Sequence, residues 1–288
     1  MNIGQKFLIE GDISWYCLSV FYSRDEWYNL LNSVNTFYEV NKSWIKHISI
    51  YMSNIQGERL NIVVSTPLEN REEIYTLLDS YFSEFVRDQP SLTQSQRLEE
   101  ESLWGNYNNN IVLWNCFQIP PFLLLEDIIS EFSLYTSILI LKMYEEESSY
   151  SDNILSINGF LTTKAYRLYS EIYHQDFLLG KTEKYKEANH DVIEYYWRYI
   201  PNEDVNSLLS IWSNFIVKIL TLYGNKLGFT FINLIICQQL GCSLIIRETI
   251  VDIINSWGRC NNLLEIELEY DLNSKLRSRF KQKDIISE

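Results

Sequence analysis

The strongest constraint on this chain is a change of apolar period, from two to 3.6 and back, across residues 14–86. Residues 14–22 (SWYCLSVFY) are aromatic and β-branched and read as a strand. Residues 25–40 place Trp27, Leu30, Leu31, Val34, Phe37 and Tyr38 at helical spacing, with acidic residues in the first turn. Residues 44–52 (WIKHISIYM) alternate, with Ile45, His47, Ser49 and Tyr51 on one side and Lys46, Ile48, Ile50 and Met52 on the other. A turn at 54–58, containing Gly57, leads into a returning strand at 60–65 (LNIVVS), which Pro67 stops. Residues 69–86 form a second amphipathic helix with Ile74, Leu77, Leu78, Tyr81, Phe82 and Phe85 on one face. The order β-α-β-β-α is most of a split βαβ unit, which packs its helices on one face of a mainly antiparallel sheet.

Beyond this unit, residues 89–101 are polar and read as a linker or exposed loop, and 111–119 (IVLWNCFQI) supply a further strand. From Pro120 the pattern becomes helical. Pro121 suits a first helical turn and opens an apolar stretch that ends in the acidic run at 145–147. Residues 160–173 are a further helix, and 180–191 are highly charged and exposed. Asn202 is an N-cap for a helix reaching Tyr223, followed by helices at 229–240, 243–257 and 262–283. The last has an acidic start and a basic end, which suits the helix dipole. The expected fold class is therefore α+β. Residues 1–119 form an α+β part with a small mainly antiparallel sheet, and residues 120–288 form a mainly helical part packed on it. No internal repeat interrupts this order.

Composition narrows the function classes without choosing one. With 46% hydrophobic and 22% charged residues, most of the 288-residue chain has the makings of a packed core rather than disorder. Ten glycines and five prolines are few, which disfavours a turn-dense all-β architecture. A net charge of −14 makes a poor general nucleic-acid binder and a poor partner for anionic lipid. The five cysteines, at 17, 116, 237, 242 and 260, are odd in number and scattered, and only Cys237 and Cys242 are close. That pair lacks a second pair to complete a zinc site, so buried free thiols in a reducing cytosol are the expectation. No apolar h-region opens the chain, and the expected location is cytoplasmic. Residues 227–246 carry no charge over twenty positions, a length that suits a membrane span. Asn233, Gln238 and Gln239 are expensive at mid-bilayer, so the stretch reads as two buried helical pieces broken near Gly241, without stable membrane insertion.

The standard catalytic motifs are absent: no glycine-rich phosphate loop, HExxH, G-x-S-x-G or dinucleotide fingerprint. Three histidines make a His-rich metal site a poor reading. His47, on a strand, reads as a packed or surface residue, and His174 and His190 as solvated residues or proton carriers. Tyr195, Tyr196, Trp197 and Tyr199 follow His190 and read as core or as the wall of an aromatic cleft. The run 237–243 (CQQLGCS) brings two amides, a helix break and a hydroxyl together, either as a satisfied core network or as part of a polar site.

The first ninety residues resemble the C-terminal, glutamate-elimination domain of lantibiotic dehydratases and its stand-alone relatives in thiopeptide biosynthesis. The resemblance is carried by 15–22 (WYCLSVFY), the helix after it, 44–51 (WIKHISIY), the turn with Gly57, and 59–64 (RLNIVV). In the elimination domains the last strand looks like H-x-R-x-R-F, and its arginines act on glutamylated peptide. Here the corresponding run is 59–64, and the basic pair is missing. The pyridine synthases of thiopeptide pathways resemble the same fold, also lack that pair, and are stand-alone chains of about this size. The run 229–243 (FTFINLIICQQLGCS) sits where that family has a helix ending in a polar stretch.

The resemblance implies a formal aza-[4+2] cycloaddition joining two dehydroalanines of a modified precursor peptide into a six-membered nitrogen ring, closing a macrocycle. It implies no cofactor and no metal, a precursor peptide of leader plus core as partner, and a complex with other pathway enzymes. By position, His190, Tyr195, Tyr196 and Ser243 are the candidates for catalytic proton transfer or iminol stabilisation. Gln239 and Trp197 are the candidate substrate contacts. Two alternatives stay open: a catalytically silent scaffold that binds the leader or precursor peptide, and a glutamate-eliminating partner of a split dehydratase.

Overall fold

A computed structural model describes residues 7–54, 56–92, 107–116, 118–120, 122–125, 127–146, the helical positions 157, 160–162, 164–165, 168–169 and 172, and residues 203–241. The fold is α+β. Strand β1 (Phe7–Glu10) precedes β2 (Ile13–Phe21), α1 (Trp27–Asn41), β3 (His47–Ser53), β4 (Arg59–Pro67), α2 (Arg71–Asp88) and β5 (Ile111–Trp114). Helices α3 (Phe122–Leu125), α4 (Asp127–Glu146), α5 (Glu203–Tyr223) and α6 (Asn225–Gln239) follow.

The sheet is antiparallel throughout, in the order β1-β2-β4-β3, with β5 also paired to β2. Strands β1 and β5 share one edge of β2: β1 pairs along residues 13–16 and β5 along 18–21. The split βαβ arrangement expected from the sequence is therefore present, with β4 inserted between β2 and β3. Strand β1 was not anticipated; its four residues are too short to show a period.

Opposed residues of antiparallel strands share a face, so the register sorts the sheet into two sides. One side is built from Tyr16, Leu18 and Val20 of β2, Leu60, Ile62 and Val64 of β4, and Ile48, Ile50 and Met52 of β3. It lies under α1 and α2, which bury Leu30, Leu31, Val34 and Phe37, and Ile74, Leu78 and Phe82. The Tyr16 hydroxyl donates to the Arg71 carbonyl at 2.6 Å, and Phe37 and Phe82 meet with ring centroids 5.6 Å apart. The other side carries Trp15, Cys17, Ser19 and Phe21 of β2, Arg59, Asn61, Val63 and Ser65 of β4, and His47, Ser49, Tyr51 and Ser53 of β3. Polar residues dominate this second side, although nearly all of them are buried.

Strand β3 begins at His47, not at Trp44. The backbone N–H groups of Trp44 and Ile45 both turn back to the Asn41 carbonyl at the end of α1, and the Trp44 carbonyl accepts the Thr66 hydroxyl at 2.7 Å. The free edge of β3 is covered by α4: the Ile50 N–H donates to Ser137 Oγ at 3.1 Å. Covering an edge strand removes a row of unpaired backbone groups from solvent.

The apolar stretch after Pro121 is divided into α3 and α4. Helix α5 packs on α4 through Trp212, whose indole N–H donates to Thr136 Oγ1 at 2.9 Å while its ring stacks on Phe132 at 5.7 Å. By length and composition α5 suffices to cross a membrane; Trp212, Ile216, Ile219 and Leu220 on it are fully buried. Helix α6 starts at Asn225, earlier than expected, and ends as expected near Gly241, which has a φ of +60°. Cys17 and Cys237 are buried, Cys116 is half-buried, and none of the three forms a disulfide among the described residues. A single apolar core joins residues from Trp15 to Leu240. The described positions of 160–173 are helical. The Asn202 cap, the charged run 180–191, the helices at 243–257 and 262–283, and Cys242 and Cys260 lie outside the described residues.

Candidate functional site

The polar side of the sheet carries the densest chemistry among the described residues. It is assembled from two periodicities. Along β3, His47, Ser49 and Tyr51 alternate onto one face. Along α4, Ser130, Ser133 and Ser137 recur at i, i+3 and i+7, so they share one helical face. Gln239, the last residue of α6, closes the group.

The contacts form a chain. His47 Nδ1 lies 3.2 Å from Ser130 Oγ, and His47 Nε2 is hydrogen-bonded to Ser49 Oγ. Ser49 Oγ is 3.1 Å from Ser133 Oγ, which is 3.3 Å from the Tyr51 hydroxyl. Gln239 Nε2 donates to Ser133 Oγ at 2.7 Å and to the Ser133 carbonyl at 2.8 Å. In the next cross-strand row, Asn61 Nδ2 donates to the Tyr51 carbonyl at 3.1 Å and Ser19 donates to Asn61 Oδ1 at 2.7 Å. Ser130 is half-buried; His47, Ser49, Ser133, Tyr51, Asn61 and Gln239 are buried.

Burial sets the electrostatics. It pushes the His47 imidazole down to about 3, so the ring is neutral near neutral pH. It pushes the Tyr51 hydroxyl up to about 12, against the opposing hydrogen bonds of Ser133, Ser49 and Gln239. The network thus holds neutral donors and acceptors. A neutral imidazole bonded at both nitrogens can pass a proton by exchanging tautomers, without carrying a charge. Gln239 Oε1 is buried and has no hydrogen-bond partner among the described residues.

Of the residues singled out in the sequence, Gln239 enters this network. His190, Tyr195, Tyr196, Trp197 and Ser243 lie outside the described residues, as does His174. His47, expected as a packed or surface residue, is packed; sequence reasoning did not place it, Ser49, Tyr51, Ser130 or Ser133 in a site. The signal was present in two parts: polar residues alternating with Ile48, Ile50 and Met52, and serines on one face of an otherwise apolar helix. Neither part identifies the other, because the pairing joins residues more than eighty positions apart.

At the far end of the same face, Arg59 stands opposite Phe21 and Ser53. Its guanidinium lies over the Phe21 ring, 5.4 Å from the centroid. The turn between β3 and β4 folds against the same ring: Gly57, at a φ of +121°, leaves room for only about a hydrogen atom before the Tyr107 carbonyl and Phe21. A Cβ at Gly57 would meet them at 3.1 and 3.3 Å.

No family model matches the chain, and no curated protein does. Among solved structures, it is similar in fold to one described as the pyridine synthase TbtD from thiomuracin biosynthesis, at 13% identity and a TM-score of 0.53, over 84% of this chain and 97% of that one.

Proposed function

We propose that this chain is a tailoring enzyme of ribosomally made peptides, catalysing a formal aza-[4+2] cycloaddition between two dehydroalanines. The observation that carries the reading is the similarity in fold to a pyridine synthase over 84% of this chain and 97% of that one. The neutral network agrees with it. The reaction needs two alkenes held in register, one amide held as its iminol tautomer, and a proton delivered to a leaving group. Orientation supplies much of the acceleration, and uncharged donors suit a tautomer shift in a desolvated site.

In this reading Gln239 is a substrate contact. Its amide nitrogen is engaged by Ser133, which leaves the buried Oε1 to accept an N–H from a peptide. His190, Tyr195, Tyr196 and Ser243 remain the proposed proton-transfer and iminol-stabilising groups, with Trp197 as an aromatic contact. The partner is a precursor peptide of leader plus dehydroalanine-containing core, met in the cytoplasm. The chain's −14 net charge offers an acidic leader no long-range attraction, so apolar grooves would bind it. A second reading, a silent scaffold for the precursor peptide, is favoured by the enclosure of the network: His47 is 4% exposed and Tyr51 2%.

The test is to incubate the purified protein with a synthetic leader-core peptide carrying two dehydroalanines flanked by azoles, and to follow retention and mass by liquid chromatography with mass spectrometry. Loss of water with release of the leader amide is the expected result. A retention shift at unchanged mass means cyclisation without aromatisation. Binding without conversion favours the scaffold, and neither binding nor conversion overturns the peptide-tailoring reading.

A further inference from the structure

Arg59 is 5% exposed, and its Nε and Nη1 have no hydrogen-bond partner among the described residues. The ionisable groups of the described residues that act on it are Cys116, Cys17 and Tyr107, and none is a carboxylate. Burying a guanidinium without a counter-charge is costly, and native proteins compensate such a charge by pairing it. Among the described residues its favourable contact is the Phe21 ring, whose centroid lies 5.4 Å from the guanidinium carbon.

The surroundings are built and lie near solvent. Phe21 packs on Tyr107 with centroids 5.0 Å apart, and the Tyr107 N–H donates to the Gln56 carbonyl at 2.8 Å. Tyr107 itself is 44% exposed, so this end of the polar face borders solvent. We propose that Arg59 anchors a carboxylate-binding subsite at the hairpin end of the sheet, walled by Phe21 and Tyr107. A single cation suits a monoanion: a planar carboxylate matches the guanidinium edge, whereas a phosphate dianion needs more positive charge than Arg59 supplies. The carboxylate comes either from a free small acid or from a peptide terminus. The inference stands on Arg59 and its neighbours alone and does not depend on the cycloaddition reading.

The test is thermal unfolding of the full chain with acetate, N-acetylglycine, the neutral control N-acetylglycinamide, inorganic phosphate, and sodium chloride at matched ionic strength. At saturating carboxylate the midpoint rises by about 5 °C, and the neutral amide and chloride leave it unchanged. A response to both acids identifies a general carboxylate site, and one confined to N-acetylglycine identifies a peptide terminus. Arg59→Met abolishes the rise while its unliganded midpoint is equal to or above that of the parent, because an uncompensated buried charge is gone. Should Arg59→Met fail to fold, Arg59→Lys is used instead, and at least tenfold more carboxylate is needed for the same shift. The proposal is overturned if neither acid stabilises the parent more than chloride does, if phosphate does so more strongly than both, or if the substituted protein keeps the full response.

Discussion

Gln239 and Ser133 are joined twice. The amide nitrogen at the last residue of α6 donates both to Ser133 Oγ, at 2.7 Å, and to the Ser133 carbonyl, at 2.8 Å, in the middle of α4. The amide of one glutamine thus holds both the side chain and the backbone of a single serine, fixing where α6 ends against α4. The same serine oxygen is hydrogen-bonded to the Ser49 and Tyr51 hydroxyls of the sheet. Ser133 is therefore the point at which strand β3 and two helices meet.

Gln239→Leu keeps the bulk and removes both bonds. Each intramolecular hydrogen bond contributes about 0.5–1.5 kcal/mol net, so the substitution should lower stability by about 1–3 kcal/mol. Urea unfolding followed by circular dichroism measures it. An unchanged midpoint would mean that apolar packing alone holds the end of α6.

Ser137→Ala isolates the covering of the β3 edge. Ser137 Oγ is the acceptor for the Ile50 N–H. Without it a buried backbone donor is left unsatisfied, at a cost of about 1–3 kcal/mol. Hydrogen exchange at the Ile50 amide should accelerate well beyond that of its strand neighbours, because the change is local as well as global.

Gly241→Ala tests the close approach that follows α6. Gly241 has a φ of +60°, and a Cβ there would lie 2.4 Å from the Met52 carbonyl oxygen. The obstacle is backbone of β3, which cannot swing aside as a side chain does. The left-handed conformation alone makes alanine unfavourable by about 1 kcal/mol, and the clash adds to it. The expected result is a loss of several degrees in melting temperature, whereas Gly11→Ala, which shares a positive φ but meets nothing within 4 Å, should lose much less.

The frame of the sheet was legible because its signals are local. Trp27 to Phe37 and Ile74 to Phe85 repeat at helical spacing, and Gly57 marks the turn between two alternating runs. Those patterns predicted α1, α2, β2, β3 and β4 in their order. The network was not legible for the opposite reason. Ser133 looks like one small residue in an apolar helix until it is seen beside Ser49 and Tyr51. Arg59 stood in the sequence at the head of a run noted for lacking the elimination domains' basic pair. Its isolation and burial are properties of the sheet row it shares with Phe21 and Ser53. Element type follows from residues a few positions apart, whereas the site follows from register and docking.

The pH dependence of stability should carry the mark of His47. Its folded pKa is held down to about 3 by burial, against an ordinary value of 6.5. The unfolded chain therefore binds more protons than the folded chain between these values, and stability must fall as pH falls. The neutral ring's contribution is complete above about pH 6.5. It is lost progressively toward pH 3, by at most about 1.4 kcal/mol per pH unit. Carboxylates titrate in the lower part of that window, so the clean interval is pH 7 to 5. Denaturant midpoints taken across it should slope downward with acid in the parent. In His47→Gln, which keeps a hydrogen-bonding side chain but cannot ionise, the slope should flatten by about one proton's worth. An identical slope in both proteins would show that His47 takes up its proton in the fold as readily as in the unfolded chain, and burial would then not hold the ring neutral in acid.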